Sequence, residues 1–242
     1  MMKRNVKQFA AVAELNNMAA ELFVNAAERA IAEKGHFTVA LTGGSSPVGL
    51  HRLLAASPYR ERVNWEQVYV FWGDERWVPL TDERSNAKMS FETLLDEVPV
   101  PREQIFPMWS ADLPAEDYAV EYERLLKRYL GDEGVFDLVL LGMGPDGHTA
   151  SWFPGTAVLQ ERAKWVDAYY LPSQEMYRMT LTVSLVNRAR QVAVIAFGAN
   201  KAEALYQVLE GAPNPELYPA QLIDADDVTW LVDVAAAAKL GL

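Results

Sequence analysis

An aspartate and a histidine stand two residues apart in GMGPDGHTASWFPG, residues 142–155, with glycines on both sides of them. His148 is one of only three histidines in the chain. An unperturbed imidazole titrates at about pH 6.5, which suits it to act as a general base at neutral pH. A carboxylate at Asp146 would orient the ring and stabilise its protonated form. Gly142, Gly144 and Gly147 allow backbone conformations that side chains forbid. The apolar run FDLVLL before them reads as a buried strand, so the pair is set at a strand end. A histidine standing alone is more often structural. This setting favours a base acting on water.

Other loops carry groups of complementary chemistry. In LTGGSSPVG, residues 41–49, Gly43 and Gly44 permit positive φ and let a ligand approach the backbone around Ser45. Ser46 is placed as an N-cap and Pro47 as a first helical residue, so free N–H groups and a positive helix end would face outward as an anion site. No Gly-Lys-Ser/Thr follows, and the glycine spacing is not that of a dinucleotide fingerprint. A tight, well-capped turn would use the same residues. In GDERWVP, residues 73–79, Asp74, Glu75 and Arg76 follow another apolar run. They form either a surface turn with a local ion pair, or a site with Arg76 near a developing oxyanion and a carboxylate near a hydroxyl. Arg178 precedes a strand in YRMTLTV. Lys201, in FGANKAEAL, opens a helix, where a cation is disfavoured unless an anion sits nearby. It reads otherwise as a solvated lysine. His36 in a turn and His51 on a helix read as surface or packing residues. No histidine spacing suits a metal. Trp72, Trp77 and Trp152 flank these loops as core or wall residues.

The totals narrow the class. The chain has 242 residues, half of them hydrophobic, enough for one large α/β domain. Its formal net charge of −11 argues against nucleic acid, so any anion site must be locally positive. With no cysteine, disulfides, thiolate catalysis and cysteine-bound metals are excluded. The N-terminal segment begins with basic residues, but Glu14, Asn16, Asn17 and Glu21 interrupt its apolar part. It reads as neither a signal peptide nor a membrane span, and the expectation is a soluble cytoplasmic protein.

Helical spacing runs from Val12 to Ala30 with a stop at Gly35. Strands are expected at Phe37–Leu41, Gln67–Trp72, Phe136–Leu141, Trp165–Leu171, Met179–Val183, Gln191–Phe197 and Val228–Val232. Helices are expected from Val48, at Asn86–Leu95, from Pro114 to Tyr129, after Lys201, and in the alanine-rich C-terminus. Alternating elements with apolar strands predict an α/β fold, a mostly parallel sheet with helices on both faces. A single domain over residues 1–242 is expected, with a small helical elaboration at Pro99–Pro114. Ligands in such sheets collect beyond the carboxyl ends of the strands.

LTGGSSP, FWGDERWVP, SNAKMSFETLL, FDLVLLGMGPDGHTASWFPG and FGANKAEAL, in that order, resemble the 6-phosphogluconolactonase family. The likeness covers Thr38 to Lys201, and the GMG-x-DGHTAS-x-FPG block is its most specific part. It implies a modified Rossmann-like sheet, as in glucosamine-6-phosphate deaminases and ribose-5-phosphate isomerases. It implies hydrolysis of 6-phosphoglucono-δ-lactone, the second step of the oxidative pentose phosphate pathway. No metal or organic cofactor is implied, nor any nucleic-acid or membrane partner. The state expected is a monomer or small homo-oligomer. By the resemblance His148 is the base and Asp146 positions it, with Arg76 at the lactone oxygens. Gly43, Gly44 and Ser45 hold the phosphate with Arg178 and Lys201, and Asp74 meets the substrate. The family has leucine where this chain has Trp152, expected at the pocket wall, and Pro145 should stiffen the approach to Asp146.

Two rivals remain. Deaminases carry a glutamate a few residues after the shared histidine, whereas Thr149–Pro154 contains no carboxylate. A non-catalytic sugar-phosphate sensor on this fold would need a DNA-binding module, and no basic helix-turn-helix segment precedes the first helix.

Overall fold

The computed structural model describes residues 5–241, so the basic start Met1–Arg4 and the final Leu242 lie outside it. Six parallel strands form the main sheet. They are β1 (Asn5–Phe9), β2 (Phe37–Leu41), β3 (Val68–Trp72), β5 (Leu138–Gly142), β8 (Val192–Ala196) and β9 (Val228–Asp233), in the order β1-β9-β8-β5-β2-β3. Every residue of β2 and β8 is buried, as their unbroken apolar runs require of strands covered on both faces. The chain passes from β2 outward to β3, and from β5 the other way to β8, so the sheet has a switch point between β2 and β5. A crevice at the carboxyl ends of the strands opens there.

Helix α1 (Val12–Lys34) packs against α2 (Val48–Leu54) and stops at Gly35, whose φ of +82° is a left-handed cap. A short helix α3 (Tyr59–Arg62) leads to β3. Helix α4 (Asn86–Ser90) continues into a π-helical turn, Phe91–Leu95, where a regular helix is expected; the Asp96 N–H there reaches back to the Phe91 carbonyl. Helix α5 (Ala115–Leu130) packs on a second sheet, the antiparallel order β4 (Asp74–Arg76), β7 (Met176–Leu181), β6 (Val166–Leu171). Helix α6 (Val183–Val186) precedes β8, and α7 (Ala202–Leu209) follows it.

Several sequence expectations need correction. Asp74–Arg76 is a strand rather than a turn, because Gly73 hands the chain from one sheet to the other: its N–H donates to the Leu41 carbonyl and its carbonyl accepts from Leu181. Arg178 lies within β7 rather than before it. Polar, half-exposed β1 is an edge strand that carries no apolar signal. The alanine-rich C-terminus forms turns, since Val234–Leu240 is too short to nucleate a helix alone. The Pro99–Pro114 stretch holds one 3-10 turn, and Ile105 pairs along the edge of β3 instead of forming a helical insert.

Candidate active site

The glycine loop, Thr42–Ser46, leaves β2 at the switch point. Gly44 has a φ of +75°, open only to glycine at low cost. A Cβ on Gly43 would lie 1.8 Å from Asn86 Oδ1, so the loop closes on α4 only because Gly43 has no side chain. Among the described residues, the N–H groups of Gly43, Gly44, Ser45 and Ser46 find no acceptor. The Ser46 hydroxyl does not cap α2 as expected. Pro47 holds the capping position and its carbonyl accepts the first helical hydrogen bond, from His51.

The second loop follows β5. Thr42 Oγ1 accepts from the Gly142 N–H at 3.2 Å and ties the two loops together. Gly144 donates to the His148 carbonyl, and Gly147, at a φ of +80°, turns the chain against Tyr218. This turn brings Asp146 Oδ1 to 2.5 Å from His148 Nδ1. Burial pushes the Asp146 carboxyl up, but the side-chain hydrogen bond and charge of His148 outweigh it and hold the group below its ordinary value. A carboxylate on Nδ1 fixes the proton there and leaves Nε2 as the basic nitrogen. The imidazole stacks on Phe153 at 4.2 Å between ring centres, and its side chain is 26 % exposed.

The small sheet supplies the cations. Arg76 and Arg178 face each other across β4 and β7. Arg178 is buried, with Nη2 donating to Asp74 Oδ2 at 2.8 Å and Nε to Ser151 Oγ at 2.9 Å. Its guanidinium also lies over Phe153. Arg76 donates from Nη1 to the Arg84 carbonyl, while its buried Nε has no partner among the described residues. Burial, then the charge of Arg178, depresses the Arg76 guanidinium against the pull of Asp74. Glu75 does not reach the cleft. It is fully buried and accepts from the N–H groups of Arg76, Asn86 and Ala87 and from the Ser85 hydroxyl, which fixes α4 to β4. Burial pushes its carboxyl up against those bonds.

Together these elements enclose a cleft of about 200 Å³. Gly43, Gly44, Ser45, Asp74, Arg76, His148, Arg178 and Lys201 all line it, and Asp146 stands behind His148. Lys201 forms no ion pair or hydrogen bond through its ammonium among the described residues. Burial lowers its affinity for the proton and the charge of Asp146 raises it. Sequence reasoning missed Asn86, Ser151 and Phe153. Asn86 lines the cleft and donates to the Asp74 carbonyl at 2.9 Å. Trp152 is no wall residue. It is fully buried, and its indole N–H donates to the Leu181 carbonyl at 2.8 Å. His51 is a packing residue on Thr93, held near a pKa of about 4 by burial. No three His, Asp or Glu side chains among the described residues converge where they could hold a metal. An imidazole facing three cations and free N–H groups can activate water beside a bound anion.

The family model described as glucosamine-6-phosphate isomerases/6-phosphogluconolactonase matches residues 10–231. A 6-phosphogluconolactonase of Synechocystis sp. is 39% identical over an alignment of 217 residues that covers 88% of each chain. One of Mycobacterium leprae is 34% identical over 247 residues, 99% of each. The structure of 6-phosphogluconolactonase from Trypanosoma brucei superimposes with a TM-score of 0.86 at 28% identity, covering 100% of both chains. A monomeric glucosamine-6-phosphate deaminase shares the fold, with a TM-score of 0.83 at 22% identity over 97% of this chain and 99% of its own.

Proposed function

The chain belongs to the glucosamine-6-phosphate isomerase/6-phosphogluconolactonase family, and on that premise we propose that it hydrolyses 6-phosphoglucono-δ-lactone to 6-phosphogluconate. The carrying observation is the Asp146–His148 pair beside a cleft of three cations, with no carboxylate in Thr149–Pro154. His148 Nε2 takes a proton from water as the oxygen attacks the lactone carbonyl. Arg76, which lines the cleft, donates to the oxyanion that develops. The ring C–O bond then breaks, and the imidazolium returns its proton to the departing ring oxygen. Asp146 keeps Nε2 free for both transfers.

The phosphate sits on the free N–H groups of Gly43, Gly44 and Ser45, with Arg178 and Lys201 closing on it. Among the described residues Asp74 Oδ1 has only a 3.4 Å contact from Asn86, so it is the oxygen left for a substrate hydroxyl. The substrate is charged and does not cross a bilayer, which supports a cytoplasmic site of action. No helix among the described residues is long and apolar enough to span a membrane.

A paired assay tests the reading against its rival. Purified protein should release acid from the lactone and no ammonia from glucosamine 6-phosphate; ammonia would move the assignment to the deaminases. Lys201→Ala should raise KM by roughly 10- to 100-fold, the size of one charge-assisted contact, with kcat little changed. Initial rates over a range of lactone concentrations check this, and a loss confined to kcat would remove Lys201 from the phosphate.

A further inference from the structure

We propose that Ser151 is the positioning residue that fixes the guanidinium plane of Arg178 toward an anion in the cleft; this rests on the phosphate-holding role given to Arg178 above. Ser151 is fully buried three residues beyond His148. Its hydroxyl accepts from Arg178 Nε at 2.9 Å and donates to Asp74 Oδ2 at 2.7 Å. The polarity is forced, because a guanidinium only donates and a carboxylate only accepts. A hydroxyl is the smallest side-chain group that does both at once.

Without Ser151, Arg178 would be held only through its terminal nitrogens, Nη2 by Asp74 and Nη1 by Gln174 at 3.1 Å, with no partner at Nε. Ser151 adds the third point, at Nε. With Nη1 giving one hydrogen to Gln174, one N–H on each terminal nitrogen is left for a ligand. Arg178 lines the cleft, so these are the groups that meet the anion.

The backbone around Ser151 is built to deliver that hydroxyl. Ala150 before it has a φ of +47°, a left-handed conformation that costs a non-glycine residue free energy and persists only where its surroundings impose it. The Ser151 N–H donates to Thr180 Oγ1, and Tyr169 Oη donates to the Ser151 carbonyl at 2.5 Å. Those bonds hold the His148 loop without the hydroxyl. The two functions are therefore separable: backbone bonds seat the loop, and the side chain orients Arg178.

Ser151→Ala is expected to raise KM about tenfold, the worth of one hydrogen bond to a charged group, with kcat within about threefold of wild type. In ¹⁵N-labelled protein, the Arg178 Nε–H resonance, assigned by its absence in Arg178→Lys, should lose its protection from exchange. Ser151→Cys keeps a weak donor and acceptor and should fall between the two on both readouts. Unchanged KM or an unchanged Nε–H signal in Ser151→Ala would overturn the proposal. A fall in kcat at constant KM would also overturn it, by placing the effect on the His148 loop. If Ser151→Ala does not fold, Ser151→Cys decides alone: a raised KM with a shifted Nε–H signal supports the role, and wild-type values of both refute it. If wild-type protein leaves the lactone untouched, the functional reading fails on its own, and the Nε–H signal still reports whether Ser151 holds Arg178.

Discussion

His148→Ala is expected to lower kcat by about 10²–10⁴-fold, the contribution of a positioned general base, while KM stays near wild type. The split follows from where the ring sits. Its Nδ1 is committed to Asp146, so in the proposed mechanism Nε2 is the nitrogen left for the reacting water. The proposed phosphate contacts lie on the glycine loop, Arg178 and Lys201, none of which touches the imidazole through a hydrogen bond. Stability should change little. The His148 side chain is partly exposed, and the Asp146 left behind is half exposed, so water can replace the lost partner. Single-turnover and steady-state rates at saturating lactone measure the effect. Turnover close to wild type would remove His148 from the base role and leave the cations as the only catalytic groups.

Asp74→Ala is expected to be the most destabilising single change at the site, by about 3–5 kcal/mol. Arg178 is 3% and Asp74 7% exposed in their side chains, and their 2.8 Å contact neutralises a cation that water barely reaches. Without Asp74 the guanidinium stays buried and uncompensated, and the Ser151 hydroxyl loses its acceptor. For a chain of this length the loss corresponds to a fall in Tm of roughly 6–20 °C. Calorimetric melting checks it. Pairing the change with Arg178→Met should restore part of the stability, because removing both charges is far less costly than stranding one. Substrate binding should not return with it. A fall of under a degree or two in the single variant would show that the pair does not compensate the buried guanidinium.

The parts of this site that were legible in the sequence share one property: local residues define them. Glycines around His148, its neighbour Asp146 and the apolar run of β5 lie within a few residues of each other, so spacing alone marks the loop. The buried strands β2 and β8 were visible for the same reason. What escaped is set by contacts distant in sequence. Asp74–Arg76 carries no strand pattern, and becomes a strand because β7, about a hundred residues later, offers it a partner. Ser151 reads as one more small residue of a loop until Arg178 and Asp74 converge on its hydroxyl. Asn86 reads as a helix start, yet it lines the cleft because Gly43 lets the loop press against it. Trp152 looked like a pocket residue from its neighbours. Its direction is decided by the left-handed Ala150 and by the Leu181 carbonyl, which draw the indole into the core.

The proposed chemistry of this cleft is hydrolysis of a phosphorylated sugar lactone by histidine-activated water. The most direct test follows the decay of 6-phosphoglucono-δ-lactone generated in situ, with and without purified protein, across neutral pH. Decay should rise in proportion to protein concentration, far above the spontaneous rate, with 6-phosphogluconate as product. A decay curve that the protein leaves unchanged would contradict it.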